Sequence, residues 1–174
     1  MKYLLTLLLI SFTSATALAA GSDDHGHDSG HSQASGHGHD GGHGHGEFAV
    51  GAPASGTPDR VIEVSMLDTM RFGFEPEFDD LHAGEVIRFE VRNDGKIVHE
   101  FSIGNAEEQK KHAAMMRKMP NMKHHDPNTV SLEPGESESL TWRFEGDDKV
   151  IFACNVPGHF EAGMHHDLAI SKAH

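Results

Sequence analysis

From about residue 58 onward the chain alternates apolar and polar positions with the period of two that marks half-buried β-strands. Val61 to Met66 puts Ile62, Val64 and Met66 on one face. Met70, Phe72 and Phe74 form a second row, closed by Pro76. After a turn at His82-Ala83-Gly84, Ile87, Phe89 and Val91 face inward. Asn93-Asp94-Gly95 is a turn signal. Beyond it Ile97, His99, Phe101 and Ile103 share one face, with Val98, Glu100 and Ser102 on the other. Leu140, Trp142 and Phe144 alternate after the turn Glu133-Pro134-Gly135, and Val150, Phe152 and Cys154 continue the pattern. His166, Leu168 and Ile170 form a last strand. Seven or eight short strands separated by turns predict an all-β, antiparallel Greek-key sandwich or barrel.

One segment breaks this period. Ala106 to Met119 consists of good helix formers, with acids in the first turn and bases later, as the helix dipole favours. His112, Met115, Met116 and Met119 recur at three- and four-residue spacings and so share a face. Pro120 ends the helix, and Met122, His124 and His125 follow. Two readings stand side by side. A methionine face can pack on the barrel as adaptable core. Alternatively His112, Met115, Met119, Met122, His124 and His125 form a second site for Cu(I), since thioethers suit the softer ion.

The N-terminal third has a different character. Residues 1–19 read as a secretory signal, with Lys2, an apolar run from Leu4 to Ile10 and the small-residue site Ala17-Leu18-Ala19. That run is too short to span a bilayer, and no later stretch is long and apolar enough. Residues 21–46 hold 9 Gly, 7 His, 4 Asp and 4 Ser, with almost nothing to bury, which predicts disorder. Three His-x-His units occur there: His25 with His27, His37 with His39, and His43 with His45. Each is able to chelate a divalent metal weakly. Residue types alone do not choose between copper, nickel and zinc. A glycine-spaced tail cannot hold the trinuclear geometry for which multicopper oxidases use such pairs. An Ala/Gly/Pro-rich linker runs from 47 to 57. The expected division is therefore signal 1–19, metal-binding tail and linker 20–57, and folded domain 58–174 with a helical insertion at 106–125.

Charge and cysteine count narrow the function. Without Lys2 the exported chain carries 13 basic against 27 acidic side chains, a formal charge of −14. That disfavours nucleic acid and anionic membranes, and favours cations and basic protein surfaces. The single cysteine cannot form an internal disulfide, so in an oxidising compartment it needs another reason to stay reduced. Metal ligation supplies one. It also excludes a binuclear copper centre built on two cysteines.

That cysteine opens the most informative stretch, Cys154-Asn155-Val156-Pro157-Gly158-His159-Phe160-Glu161-Ala162-Gly163-Met164. Thiolate, imidazole and thioether at five-residue intervals are soft and borderline ligands that select copper. A His₂Cys set with a weak axial Met is the donor set of blue-copper electron-transfer sites. The second histidine is then His99, which the strand pattern turns inward, where a buried imidazole needs a partner. A core histidine bonded to a backbone carbonyl is the alternative for His99 taken alone. A Cys/His hydrolase would leave Met164 unexplained, and no acid/base pair or poised nucleophile accompanies the stretch.

In these residues the chain resembles the cupredoxins, single-domain type 1 copper proteins such as plastocyanin, azurin, rusticyanin and auracyanin. The resemblance covers about residues 58–174, and the Cys–His spacing is more like rusticyanin or auracyanin than plastocyanin. It implies His99, Cys154 and His159 as equatorial ligands, Met164 as the axial one, and His159 as the solvent-edge electron port. The His-rich leader and Met/His-rich insertion look like those of periplasmic copper-tolerance members. One position departs: many cupredoxins place Asn directly after the first histidine, where this chain has Glu100, an acceptor rather than a donor when ionised. The ties behind the ligands must therefore differ.

The expectation is an exported, periplasmic, non-enzymatic cupredoxin with one type 1 copper. It would transfer single electrons to a partner protein, serve copper tolerance and act as a monomer. The alternative is a non-redox sequestration protein or chaperone working through the tail and the insertion.

Overall fold

In the computed structural model, residues 48–120, 122–123, 125–146 and 149–172 are described. The signal lies outside them, and so do the tail histidines His25, His27, His37, His39, His43 and His45 expected to chelate metal. His124 of the expected second site lies outside them too. The described residues belong to one compact unit, His43–His174.

Ten strands and one helix follow in chain order: β1 (Gly51–Pro53), β2 (Arg60–Leu67), β3 (Arg71–Glu75), β4 (Val86–Asn93), β5 (His99–Gly104), α1 (Ala106–Lys118), β6 (His125–Asp126), β7 (Thr129–Leu132), β8 (Ser137–Phe144), β9 (Lys149–Ala153) and β10 (His165–Ala169). They form two five-stranded sheets, ordered β1-β8-β4-β2-β3 and β10-β9-β5-β7-β6. Seven strands match the rows read from the sequence, whereas β7 falls outside those rows and β1 and β6 are too short for periodicity to reveal. β1 lies within the stretch 47–57 expected as a linker, pairs with β8 and follows the fully buried Val50.

The first sheet obeys its alternation. Ile62, Val64 and Met66 of β2, Ile87, Phe89 and Val91 of β4, and Leu140, Trp142 and Phe144 of β8 are all buried. Between the sheets Phe152 of β9 stands at the centre of an aromatic cluster. Its ring centroid lies 5.5 Å from Phe78 and Phe89, 5.6 Å from Phe101 and 6.1 Å from Phe144.

Three features differ from the sequence expectation. The sandwich is not purely antiparallel, because β2 and β4 run parallel. β3 turns back on one edge of β2, and residues 76–85 then cross over, carrying Phe78 and Leu81 into the core, so β4 starts beside the start of β2. Ile97 is 44% exposed rather than part of the inner row, because β5 begins only at His99. Finally, every residue of β5 is buried, Glu100 and Ser102 included. The outer face of the second sheet is covered by α1, which buries Gln109 and Met116. Asn105 caps this helix with a reciprocal capping box to Glu108. Among the described residues no helix is long and apolar enough to cross a membrane.

Candidate metal centre

Three segments meet at one end of the sandwich: the first residue of β5, the loop joining β9 to β10, and the turn between β2 and β3. His99 opens β5 and is fully buried. Cys154 directly follows β9, continuing the inward row of Val150 and Phe152, and is buried too. From there the chain curls through tight turns. His159 N–H donates to the Val156 carbonyl at 3.0 Å, and Ala162 N–H to the Gly158 carbonyl at 3.1 Å. Gly158 and Gly163 adopt φ of +92° and +100°, which residues with a Cβ disfavour. The curl closes on itself: Met164 N–H donates to the His159 carbonyl, and Cys154 N–H to the Met164 carbonyl, both at 3.0 Å. Five-residue spacing thus becomes a closed backbone ring that brings Cys154, His159 and Met164 to one place. The Met164 side chain is buried in the core cluster.

Donor atoms of His99, Cys154 and His159 all lie within 4.8 Å of one another, the only such group of His, Cys, Asp or Glu among the described residues. Cys154 Sγ is 3.3 Å from His159 Nδ1. The two imidazole centroids are 5.0 Å apart. His99 Nε2 meets Asp68 Oδ1 at 3.1 Å, while its Nδ1 is buried with no hydrogen-bond partner among the described residues. An orphaned buried ring nitrogen is costly. One beside a thiol and a second imidazole is a donor atom placed where it could hold a metal ion, with the Asp68 carboxylate on the ring's far nitrogen.

Protonation fits the same account. Burial pushes the Cys154 thiol up to about 12, against a smaller opposing effect of the N–H groups of Glu100 and Val156, which donate to the sulfur. A neutral thiol in this setting loses its proton when a metal replaces it. Burial also pushes the His159 imidazole down, helped by His99 and opposed by Asp68, which keeps it available as a neutral ligand. Asp68 is held below the usual carboxylate range, first by the N–H of Lys96 and then by His99. These donors therefore fit copper.

The sequence offers no signal for Asp68, which reaches the site only because the β2–β3 turn folds over it. Asn93 is more than the turn residue its motif suggests. It is buried, and its Nδ2 donates to the carbonyls of Ile97 and Leu132 at 2.8 and 2.9 Å, pinning the loop before His99 to β7. Gly95 belongs to this pinning. A Cβ there would lie 2.2 Å from Asp68 Oδ1 and 3.0 Å from His99 Nε2, so a side chain would have to push the Asp68 carboxylate away from His99. Glu100 does not reach across the ligand loops. Its N–H donates to Cys154 Sγ at 3.3 Å, while its carboxylate turns outward beneath α1.

The described members of the second candidate set lie on α1 and in the segment that follows it. His112 Nε2 is 2.9 Å from Glu100 Oε1, and His125 Nδ1 is 3.1 Å from Glu138 Oε2. Met115 is half-buried, and Met119 and Met122 are 41% and 40% exposed. Met116 is instead the buried methionine of the helix. Met122 and Met116 line a groove of about 330 Å³ with Ile97, Val98, Pro120 and the half-buried His159. His165 stacks on Phe160 and bonds Asp167, and His166 Nε2 meets the Phe78 carbonyl at 2.8 Å. The tail pairs His25 with His27, His37 with His39 and His43 with His45 fall outside the described residues.

No family model matches the sequence. Individual proteins do. The copper-resistant cuproprotein CopI of Vibrio cholerae serotype O1 is 42% identical over 169 residues, spanning 94% of this chain and 95% of the relative. The chain belongs to the CopI family. CopI of Rubrivivax gelatinosus is 40% identical over 91% of this chain, and CopI of Pseudomonas aeruginosa 35% identical over 70% of it. Solved structures agree on the fold. An auracyanin B structure matches with a TM-score of 0.52 at 23% identity, covering 71% of this chain and 96% of that one. The auracyanin of Roseiflexus castenholzii matches with a TM-score of 0.54 at 18% identity, covering 67% and 99%. The chain thus has the fold of the auracyanins, a cupredoxin-like fold.

Proposed function

We propose that this CopI-family chain would bind one copper ion at a type 1 centre held by His99, Cys154 and His159, with Met164 as a weaker fourth donor, and carry single electrons in the service of periplasmic copper tolerance. The observation that carries this reading is the buried triad of donor atoms within 4.8 Å, with His99 Nδ1 orphaned. Copper, when bound there, supplies a one-electron couple whose two oxidation states both suit two imidazoles, a thiolate and a weak thioether. The chain's own part is to hold those donors still. Asp68 fixes the His99 ring through Nε2, and the Cys154–Met164 backbone ring fixes the spacing of the remaining donors.

His159 is the one donor of the three that is not fully buried, and it opens onto the apolar groove of Ile97, Val98 and Met122. That makes its outer edge the port for a redox partner. Cys154 is committed to the metal, so the centre works as an electron carrier rather than an enzyme. The tail pairs His25 and His27, His37 and His39, and His43 and His45 favour a second, complementary role, in which the tail collects copper. In that reading the exported protein sequesters as well as shuttles.

The test is the visible and EPR spectrum of the Cu(II)-loaded protein beside Cys154→Ser. An intense thiolate-to-copper charge-transfer band that vanishes in the variant supports the reading. A weak spectrum unchanged by the substitution overturns the type 1 centre and leaves sequestration. Deleting residues 21–46 separates the two roles, since loss of tolerance with the band intact assigns tolerance to the tail.

A further inference from the structure

We propose that helix α1 is the outer frame of the metal centre, with Gln109 and His112 as positioning residues that fix the residue following each of two donors. The inference rests on the type 1 reading for its spectroscopic arm only. Gln109 is buried and saturated. Its Nε2 donates to the Ser102 carbonyl of β5 at 3.1 Å and to the Ile151 carbonyl of β9 at 2.8 Å. Its Oε1 accepts from Asn155 Nδ2 at 2.7 Å. One side chain from the helix thus ties two strands of the second sheet to the residue directly after Cys154. Asn155 is itself buried, and its Oδ1 has no partner among the described residues, so the bond to Gln109 is what holds its amide.

One helical turn further on, His112 grips Glu100, the residue directly after His99. Ser131 Oγ holds the other oxygen of that carboxylate at 3.2 Å. Glu100 in turn offers its backbone N–H to Cys154 Sγ. Residues three apart on a helix share a face, so Gln109 and His112 act from one side of α1 on two different ligand segments. Outer partners of this kind orient ligands and tune a metal without touching it. A buried glutamine that only satisfied strand carbonyls would have no need of Asn155, and a buried glutamate is a poor choice beneath a helix unless its position matters.

Native-state amide exchange of the metal-free, full-length protein tests the frame. Exchange at Cys154 and Val156 is compared with exchange at β4 amides in the same sample. Gln109→Met keeps the volume and removes all three bonds. We expect Cys154 and Val156 to exchange about tenfold faster relative to β4, the size expected when a buried amide loses its partner. Asn155→Ser is too short to reach Gln109 and gives the same change, deciding the matter should Gln109→Met fail to fold. Lys110→Ala, on the exposed side of α1, removes a side chain without touching the frame, and leaves the ratio unchanged. With Cu(II) bound, Gln109→Met shifts the Cys154-dependent charge-transfer band, and Lys110→Ala does not. An unchanged exchange ratio in both Gln109→Met and Asn155→Ser overturns the proposal. Absence of the band in the unsubstituted protein would overturn the type 1 reading instead, leaving the metal-free result to decide the frame.

Discussion

The two sheets are built by opposite rules. In the first, β2, β4 and β8 alternate buried apolar residues with open polar ones, because one face meets the core and the other meets water. In the second, β5 and β7 are buried on both faces and β9 is buried along four of its five residues. The difference is α1, laid over the outer face and bonded to it through Gln109 and His112. His99 opens β5 and Cys154 directly follows β9, so both belong to the covered sheet. The proposed metal centre is thus set in the sheet whose residues are confined from two sides.

Phe152→Ala strikes where the two sheets meet and has the largest expected effect. Removing the ring at the middle of the aromatic cluster costs about 4 kcal/mol in denaturant unfolding of the metal-free protein. Glu100→Ala breaks the covered face alone. Leaving His112 facing an emptied buried site costs about 3 kcal/mol by the same assay. The thiol provides a pH test of the same covered region. Burial lifts Cys154 from 9.0 to about 12 in the folded chain, so the folded state keeps a proton that the unfolded chain has lost. Its contribution is complete below about pH 9 and is lost as pH rises towards 12, by up to about 1.4 kcal/mol per pH unit. Cys154→Ala removes that difference, and unfolding titrations of the two proteins across this range measure it.

Asp68→Ala removes the carboxylate behind His99 and weakens Cu(II) affinity about tenfold, read by competition with a chelator. The smallest effect belongs to the open face of the first sheet. Glu90 of β4 is half-exposed, and Glu90→Ala changes stability by no more than about 0.5 kcal/mol. Similar costs for Glu90→Ala and Glu100→Ala would erase the contrast between the sheets.

The same contrast explains what is legible in the sequence. The first sheet can be read strand by strand, since water on one face enforces alternation. The Cys154–His159–Met164 loop is legible because its donors are close in sequence and chemically distinctive. The inward direction of His99 is legible from Phe101 and Ile103, although Ile97 lies before the strand. Periodicity alone puts Glu100 on an open face, because it cannot register a helix from elsewhere in the chain covering the sheet. Gln109 looks like an ordinary helix former for the same reason. Asp68 cannot be found, since nothing local links a turn at 68 to a histidine at 99. The methionine face of α1 is half right: Met116 packs inward, while Met119 faces water and Met122 lines the groove beside His159.

The central claim is that His99, Cys154 and His159 hold copper together. X-ray absorption at the copper edge, on the full-length protein carrying one equivalent of Cu(II), counts the donors directly. The account predicts two nitrogen neighbours and one short sulfur neighbour, with the sulfur lost in Cys154→Ser. A shell of nitrogen and oxygen alone, unchanged by that substitution, would place the copper on the histidine tail and contradict the account.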